Sequence, residues 1–368
     1  LEFSMADLFA YLKWRGDLSF TNSPLNQIDA LILSQLSYIN FSGIISESPR
    51  KQKSLKQVAT EFSNHQEKDS RSNLGLVINP KAIDLLQEAA NTPRFSSVQL
   101  CNYKDSFNPN IEEQFCAITA LLDDDSAVVI FRGTDDTIVG WKEDFNLALK
   151  QTVPAQKESL KYLENAIENF RFRTFFIAGH SQGGYLAIFS GAHLKLKYHN
   201  KIKAVFNFDG PGFVEEESTK PHFVEILKKT TTVFPQGSII GMIFKHQNNF
   251  LVVQSDGFFI MQHDPFTWKL EGTSFLLCDK LEKSSAFFHK IFNEWFISLD
   301  YSQKEELIKT IFDAVESTNA KTNSELTSNW VKNSGKIIKS LSDMDPEIKK
   351  STGHSINEFF KLAGKNIF

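Results

Sequence analysis

The sequence predicts an α/β protein: a mostly parallel β-sheet flanked by helices on both faces, with a helical appendage at its C-terminal end. Three observations carry this. Ala127 to Phe131, Thr174 to Ala178 and Ile202 to Phe208 are short, nearly unbroken apolar runs. That is the texture of strands covered on both faces, which is where parallel strands lie. Stretches with helical spacing separate those runs, and such alternation builds a parallel sheet with crossover helices. After about Lys280 the strand signals stop and only helix-period segments remain.

Taken in order, Leu25, Ile28, Leu31, Ile32 and Leu36 recur at helical spacing, with Pro24 or Asn26 as the opening residue. Lys51 to Asn73 is polar and Ser-rich and reads as a mobile loop or an exposed helix. Asn79-Pro80 opens a helix through Ile83, Leu85, Leu86 and Ala89. From Ser96 the texture becomes strand-like: Phe115, Ala117, Thr119 and Leu121 alternate with the other face, and Asp123 to Ser126 makes the turn into Ala127 to Phe131. Helices are expected over Val139 to Leu149, Lys157 to Phe170 and Leu186 to Leu196. Thr231 to Phe234 and Phe250 to Val253 are short strand candidates. In the tail, Phe288, Ile291, Phe292, Trp295 and Leu299 keep helical period, and Ser302-x-x-Glu305 is a capping box ahead of Leu307 and Ile308. Two regions follow: a core domain over residues 5–280, taking Met5 as the natural start after Leu1 to Ser4, and a helical region over 281–368.

Composition narrows the function classes. A net charge of −4 gives no electrostatic case for nucleic acid. The three cysteines, Cys101, Cys116 and Cys278, form no CxxC pair and no His/Cys cluster, so no metal site is expected. The sparse, odd count fits a reducing compartment. No basic start leads into an apolar run, so no signal peptide is expected. The longest uncharged stretch, Thr230 to Phe244, is too short to span a bilayer. A cytoplasmic location is the expectation. The 34 phenylalanines read as a Phe-rich core, with a surface for greasy substrates as the sharper alternative.

The central chemical signal is Gly179-His180-Ser181-Gln182-Gly183, between the strand ending at Ala178 and the next helix. This is the strand-to-helix elbow that presents a nucleophilic serine in the α/β-hydrolase fold. The serine must take a strained backbone conformation, and glycines two residues to either side remove side chains that would clash in so tight a turn. The helix that follows aims its N-terminal N–H groups at a developing oxyanion. The competing explanation is a serine that merely caps a helix.

A second segment, Phe131-Arg132-Gly133-Thr134, ends the earlier apolar strand. With Gly179 to Gly184 it resembles the class 3 (fungal-type triacylglycerol) lipases, in which an F-R-G-[ST] segment supplies the oxyanion hole and a G-H-S-x-G-G segment the nucleophile. Asn207 to Phe213 and Gln262 to Trp268 narrow the likeness to a bacterial family of class 3 lipase-like α/β hydrolases, over roughly residues 24 to 275. The resemblance implies that Thr134 and Gln182 donate backbone N–H groups to the oxyanion. Thr134 is otherwise a turn residue.

In this fold the base is a histidine after the nucleophile. His263 is the leading candidate, since it follows the strand-like run Phe258 to Met261 and precedes Pro265 in a turn. His193 and His199 lie on or just past the helix behind the elbow, His222 in a polar loop, and His289 and His354 in the tail; His246 is the next alternative. His180 reads as structural. The acid departs from the lipase pattern: Phe234 to Ile240, where the resemblance would place it, holds no carboxylate. Asp209, at the end of the strand after the elbow helix, is the substitute, with Asp256 as a third choice and a plain turn-forming role as its rival.

These residues point to a serine hydrolase that cleaves carboxylic esters, of lipid or smaller acyl type, through an acyl-enzyme on Ser181. No metal and no organic cofactor are expected. The expected partner is a small acyl ester or lipid, with peripheral lipid contact. The alternative is a hydrolase scaffold of weak or no activity that binds lipid or protein, motivated by the missing lipase-type acid and the amphipathic tail.

Overall fold

The apolar runs form the centre of an eight-stranded sheet whose order follows the chain. The computed structural model describes residues 6–71, 79–111, 113–134, 153–213, 219–244, 246, 249–298, 300–305 and 309. Strands β1 (Lys53–Ser54), β2 (Gln99–Asn108), β3 (Glu113–Leu121) and β4 (Ser126–Phe131) pair antiparallel. From β4 through β5 (Thr174–His180), β6 (Ile202–Phe208), β7 (Thr230–Pro235) and β8 (Leu251–Val253) every pairing is parallel. With helices on both faces and a nucleophile-type elbow at the end of β5, this is the α/β-hydrolase fold.

Alternation along the central strands feeds two cores. Val128, Ile130, Phe176, Ala178, Phe206 and Phe208 pack to one side, against helices α1 (Leu8–Arg15), α2 (Gln27–Leu36), α3 (Leu55–Ser63) and α4 (Lys81–Ala90). Ala127, Val129, Phe131, Phe175, Ile177 and Val205 pack to the other, against α5 (Pro154–Asn169), α6 (Gln182–His193) and α7 (Pro221–Leu227). Burial on both faces explains why these strands read as continuous apolar runs. Many phenylalanines are spent here, Phe20, Phe62, Phe95, Phe131, Phe175 and Phe208 among them.

Helix α2 is opened by Asn26, whose side chain accepts from the N–H groups of Ile28 and Asp29, while Asp29 reaches back to the Asn26 N–H in a capping box. All of Ile28 to Leu36 is buried. Asp29 also forms a fully buried, bidentate pair with Arg94, at 2.8 Å and 2.6 Å, and accepts from the Tyr11 hydroxyl at 2.8 Å. Arg94 further donates to the carbonyls of Leu18 and Ser23. This cluster ties α1, α2 and the segment before β2 together. Removing one partner leaves a buried charge without its counterion, so Arg94→Ala is expected to lower unfolding free energy by about 3–5 kcal/mol. A urea denaturation midpoint equal to that of the unaltered protein would remove the cluster from the stability argument.

Three expectations need correction. Lys51 to Arg71 is neither loop nor fully exposed helix: it holds β1 and the amphipathic α3, which buries Leu55, Val58, Ala59 and Phe62. The Ser54–Gln57 capping box and the apolar spacing were hidden among polar residues. The elbow helix starts at Gln182, directly after the serine as the elbow requires and ahead of the Leu186 at which its apolar pattern begins, and it stops at His193, short of the Leu196 expected. Phe258 to Met261 is not strand-like, since Phe259–His263 is a 3₁₀ turn. Phe258 and Met261 are 60% and 57% exposed.

The helix expected over Val139 to Leu149 and most of the tail lie outside the described residues. Within the tail, α8 (Lys283–Ser298) packs on the loop after β7: the Ser285 hydroxyl donates to the Ser238 carbonyl, and the Asn293 amide donates to that of Met242 at 3.2 Å. Among the described residues no helix is long and apolar enough to cross a membrane.

Candidate active site

Ser181 sits at the C-terminal edge of the sheet with φ 58° and ψ −134°. A non-glycine residue in this region is strained, and such strain persists only where the surroundings enforce it. Here a Cβ on Gly179 would lie 2.1 Å from the Gly183 carbonyl carbon, and one on Gly183 would lie 2.1 Å from the Phe131 carbonyl oxygen. Only bare backbone lets the turn close. The Ser181 N–H donates to the Phe208 carbonyl at 2.9 Å, fastening the elbow to the end of β6. Helix α6 begins at the next residue, Gln182, so the positive end of its dipole faces this spot.

The segment after β4 lies directly over the elbow. A Cβ on Gly133 would stand 2.9 Å from Ser181 Cβ, 2.5 Å from the His180 carbonyl oxygen and 2.3 Å from the Tyr38 hydroxyl. Arg132 anchors the segment through an ion pair with Asp105 of β2, at 3.1 Å and 3.3 Å. Thr134, the last described residue of this segment, is buried.

Asp209 follows β6 with φ 51°, fully buried, its N–H donating to the Val233 carbonyl at 2.9 Å. Its Oδ2 accepts from His263 Nδ1 at 2.6 Å. The structure therefore brings together Asp209 and His263, which are 54 residues apart in the chain. Neighbours fix His263 on both sides. The Gln262 carbonyl accepts from Trp268 Nε1 at 2.7 Å, and the Gln262 side chain accepts from the Gly237 N–H at 2.8 Å. The Asp264 carboxylate accepts from Asn79 at 2.6 Å, and burial pushes its pKa up.

His180 completes this support. Its Nε2 donates to the His263 carbonyl at 2.8 Å, so its Nδ1 is the acceptor for the Tyr38 hydroxyl at 2.8 Å. A ring with one donor and one acceptor partner is neutral, and burial holds it well below the usual histidine range, with His263 adding to the effect. The two rings lie 4.4 Å apart.

The remaining candidates lie elsewhere. Asp256 is 60% exposed and pairs with Lys269. His193 stacks on Phe189 at 4.0 Å, and His199 bonds the Leu194 carbonyl at 2.8 Å. His222 packs edge-on against His193. His246 is half-buried beside Phe234, and desolvation pushes its pKa down to about 3. His289 bonds the Met242 carbonyl at 2.8 Å. His354 lies outside the described residues.

One participant was missed in the sequence. The Ser238 hydroxyl donates to the second oxygen of Asp209. Ser238 belongs to the segment Phe234 to Ile240, which holds no carboxylate. The signal was a polar residue among Gly237, Ile239 and Ile240, too common a pattern to single out.

No curated protein matches the sequence. Solved structures similar to it include a mutant form of MDLA from Penicillium cyclopium, at 11% identity over 62% of this chain and 78% of that one, with a TM-score of 0.38. Lip2 lipase from Yarrowia lipolytica is similar at 16% identity over 50% and 72%, with a TM-score of 0.35. A triacylglycerol lipase from Penicillium expansum is similar at 14% identity over 48% and 75%, with a TM-score of 0.32. The model of the Mbeg1-like family matches residues 89–313, more than half of the chain and every candidate site residue from Thr134 to His263, and the chain belongs to that family.

Proposed function

We propose that this protein is a serine hydrolase that cleaves carboxylic esters of acyl or lipid type, with Ser181 as nucleophile, His263 as base and Asp209 as the acid that orients it. The observation that carries the reading is the 2.6 Å Asp209–His263 hydrogen bond at the sheet edge where Ser181 is held strained. With Nδ1 donating to Asp209, the other ring nitrogen of His263 carries the lone pair and can accept the serine proton. Ser181 Oγ then attacks the acyl carbon as its proton passes to His263. The oxyanion is received by the backbone N–H groups of Thr134 and Gln182. The leaving alcohol takes the proton from His263; water then gives a proton to the same ring as it attacks the acyl-enzyme, and the ring returns that proton to Ser181 Oγ as the acid leaves.

Among the described residues no hydrogen bond joins the Ser181 hydroxyl to His263. In free hydrolases this contact is commonly long and closes with substrate bound. The exposed Phe258 and Met261, on the turn that carries His263, favour an apolar acyl group.

A fluorophosphonate tests the reading, since it labels only an activated serine. One adduct is expected, on Ser181, and Ser181→Ala is expected to abolish it. An intact mass unchanged after long incubation would favour a non-catalytic scaffold.

A further inference from the structure

The Asp209 carboxylate has one oxygen the reaction does not use. Oδ2 takes His263 Nδ1–H, while Oδ1 lies in a fully buried position where its hydrogen-bond donor is the Ser238 hydroxyl. The space around Oδ1 is closed: a Cβ on Gly241 would stand 2.4 Å from it. Ser238 is itself buried and held from two sides. Its N–H donates to the Pro235 carbonyl at 3.0 Å, and its carbonyl accepts from Ser285 of α8. The flanking turn is tied down as well, since the Glu282 N–H donates to the Gln236 carbonyl at 2.7 Å and Gln262 donates to Glu282 at 3.1 Å.

We propose that Ser238 is a positioning residue of the hydrolysis: its hydroxyl fixes the Asp209 carboxylate so that Oδ2 faces His263, and α8 holds Ser238 in place. The part of this that concerns turnover rests on the function proposed above. A buried carboxylate keeps its charge and its plane only if its oxygens are satisfied. One oxygen bonded to His263 leaves the group free to turn about its Cβ–Cγ bond. A second, fixed donor removes that freedom. The donor also places the positive end of a dipole beside the Asp209–His263 pair. Among the described residues, the other titratable groups facing the pair are His180, neutral and tilted against His263 at 4.4 Å, and Asp264, next to His263 in the chain.

The test reads the pair directly, by following the His263 ring with nitrogen-resolved NMR across pH, alongside the rate of an activated ester. Ser238→Ala is expected to move the titration to higher pH, by less than the roughly one unit expected when a titrating group itself loses a charged hydrogen bond, because the lost donor sits on Asp209. It is also expected to lower kcat on the order of tenfold at neutral pH with KM little changed. Ser238→Thr, which keeps the hydroxyl, is expected to restore both. Ser238→Cys, of similar size but a weak donor, is expected to shift the titration in the same direction by less, and it serves if the alanine variant does not fold. A titration in Ser238→Ala and Ser238→Cys identical to that of the unaltered protein overturns the proposal. A shifted titration in a protein whose Ser181 takes no fluorophosphonate supports the role of Ser238 and overturns the hydrolase reading instead.

Discussion

His263→Ala is expected to lower turnover of an activated ester by on the order of 10⁴-fold or more, the scale on which loss of the base disables a serine–histidine–aspartate unit. The reasoning starts from what could replace it. His180 is the only other imidazole against this ring among the described residues, 4.4 Å away centre to centre. Both of its nitrogens are engaged, one with Tyr38 and one with the His263 carbonyl, and burial keeps it neutral. It has no free lone pair to offer Ser181. His246, the alternative in the sequence, packs on Phe234 at 4.7 Å and is pushed by burial to about 3. The His263 backbone is held through Gln262, Trp268 and His180, so the alanine variant is expected to keep its fold and leave the Asp209–Ser238 pair intact. Steady-state kinetics with a chromogenic ester, beside circular dichroism, checks this. Unaltered rates would assign the base to another group.

How much of this could be read from the sequence depended on how local each feature is. The elbow is local: Gly179, Ser181 and Gly183 lie within five residues, and the apolar run into them marks the strand. The parallel character of the central strands also followed from local cues, since a buried parallel strand is apolar throughout. The meeting of Asp209 and His263 is different. It requires that β6 end beside the elbow and that the turn after β8 fold back over the sheet edge, and neither is written in nearby residues. Asp209 therefore stood level with a plain turn-forming role, and its positive φ shows why both ideas arose from the same residue. Ser238 was out of reach because its partner is 29 residues away and a lone serine carries no pattern. Phe258 to Met261 reads as a strand from its apolar run alone, whereas Phe258 and Met261 are exposed and the segment from Phe259 is a 3₁₀ turn.

Asp209→Asn is expected to reduce turnover by about 10⁴-fold while leaving the protein folded, because an amide here holds the wrong tautomer. The fold should survive for a specific reason. Position 209 has φ 51°, a region that asparagine tolerates about as well as aspartate and alanine does not. Ser238 can still donate to the amide oxygen. That same bond determines the damage: with its oxygen turned to Ser238, the amide must present its NH₂ group to His263. The ring then accepts at Nδ1, carries its proton on the other nitrogen, and cannot take one from Ser181. Near-normal turnover with unchanged thermal stability would remove Asp209 from the reaction, while loss of the fold would return it to a turn-forming role. The geometry adds a sharper expectation. In Asp209→Asn with Ser238→Ala, nothing holds the amide oxygen away from His263, so the amide can flip and accept from Nδ1. The double variant should then be more active than the product of the two single effects implies. A double-mutant cycle on kcat/KM measures that coupling. Strictly multiplicative losses would show that the amide does not flip and that Ser238 does not set which oxygen faces the histidine.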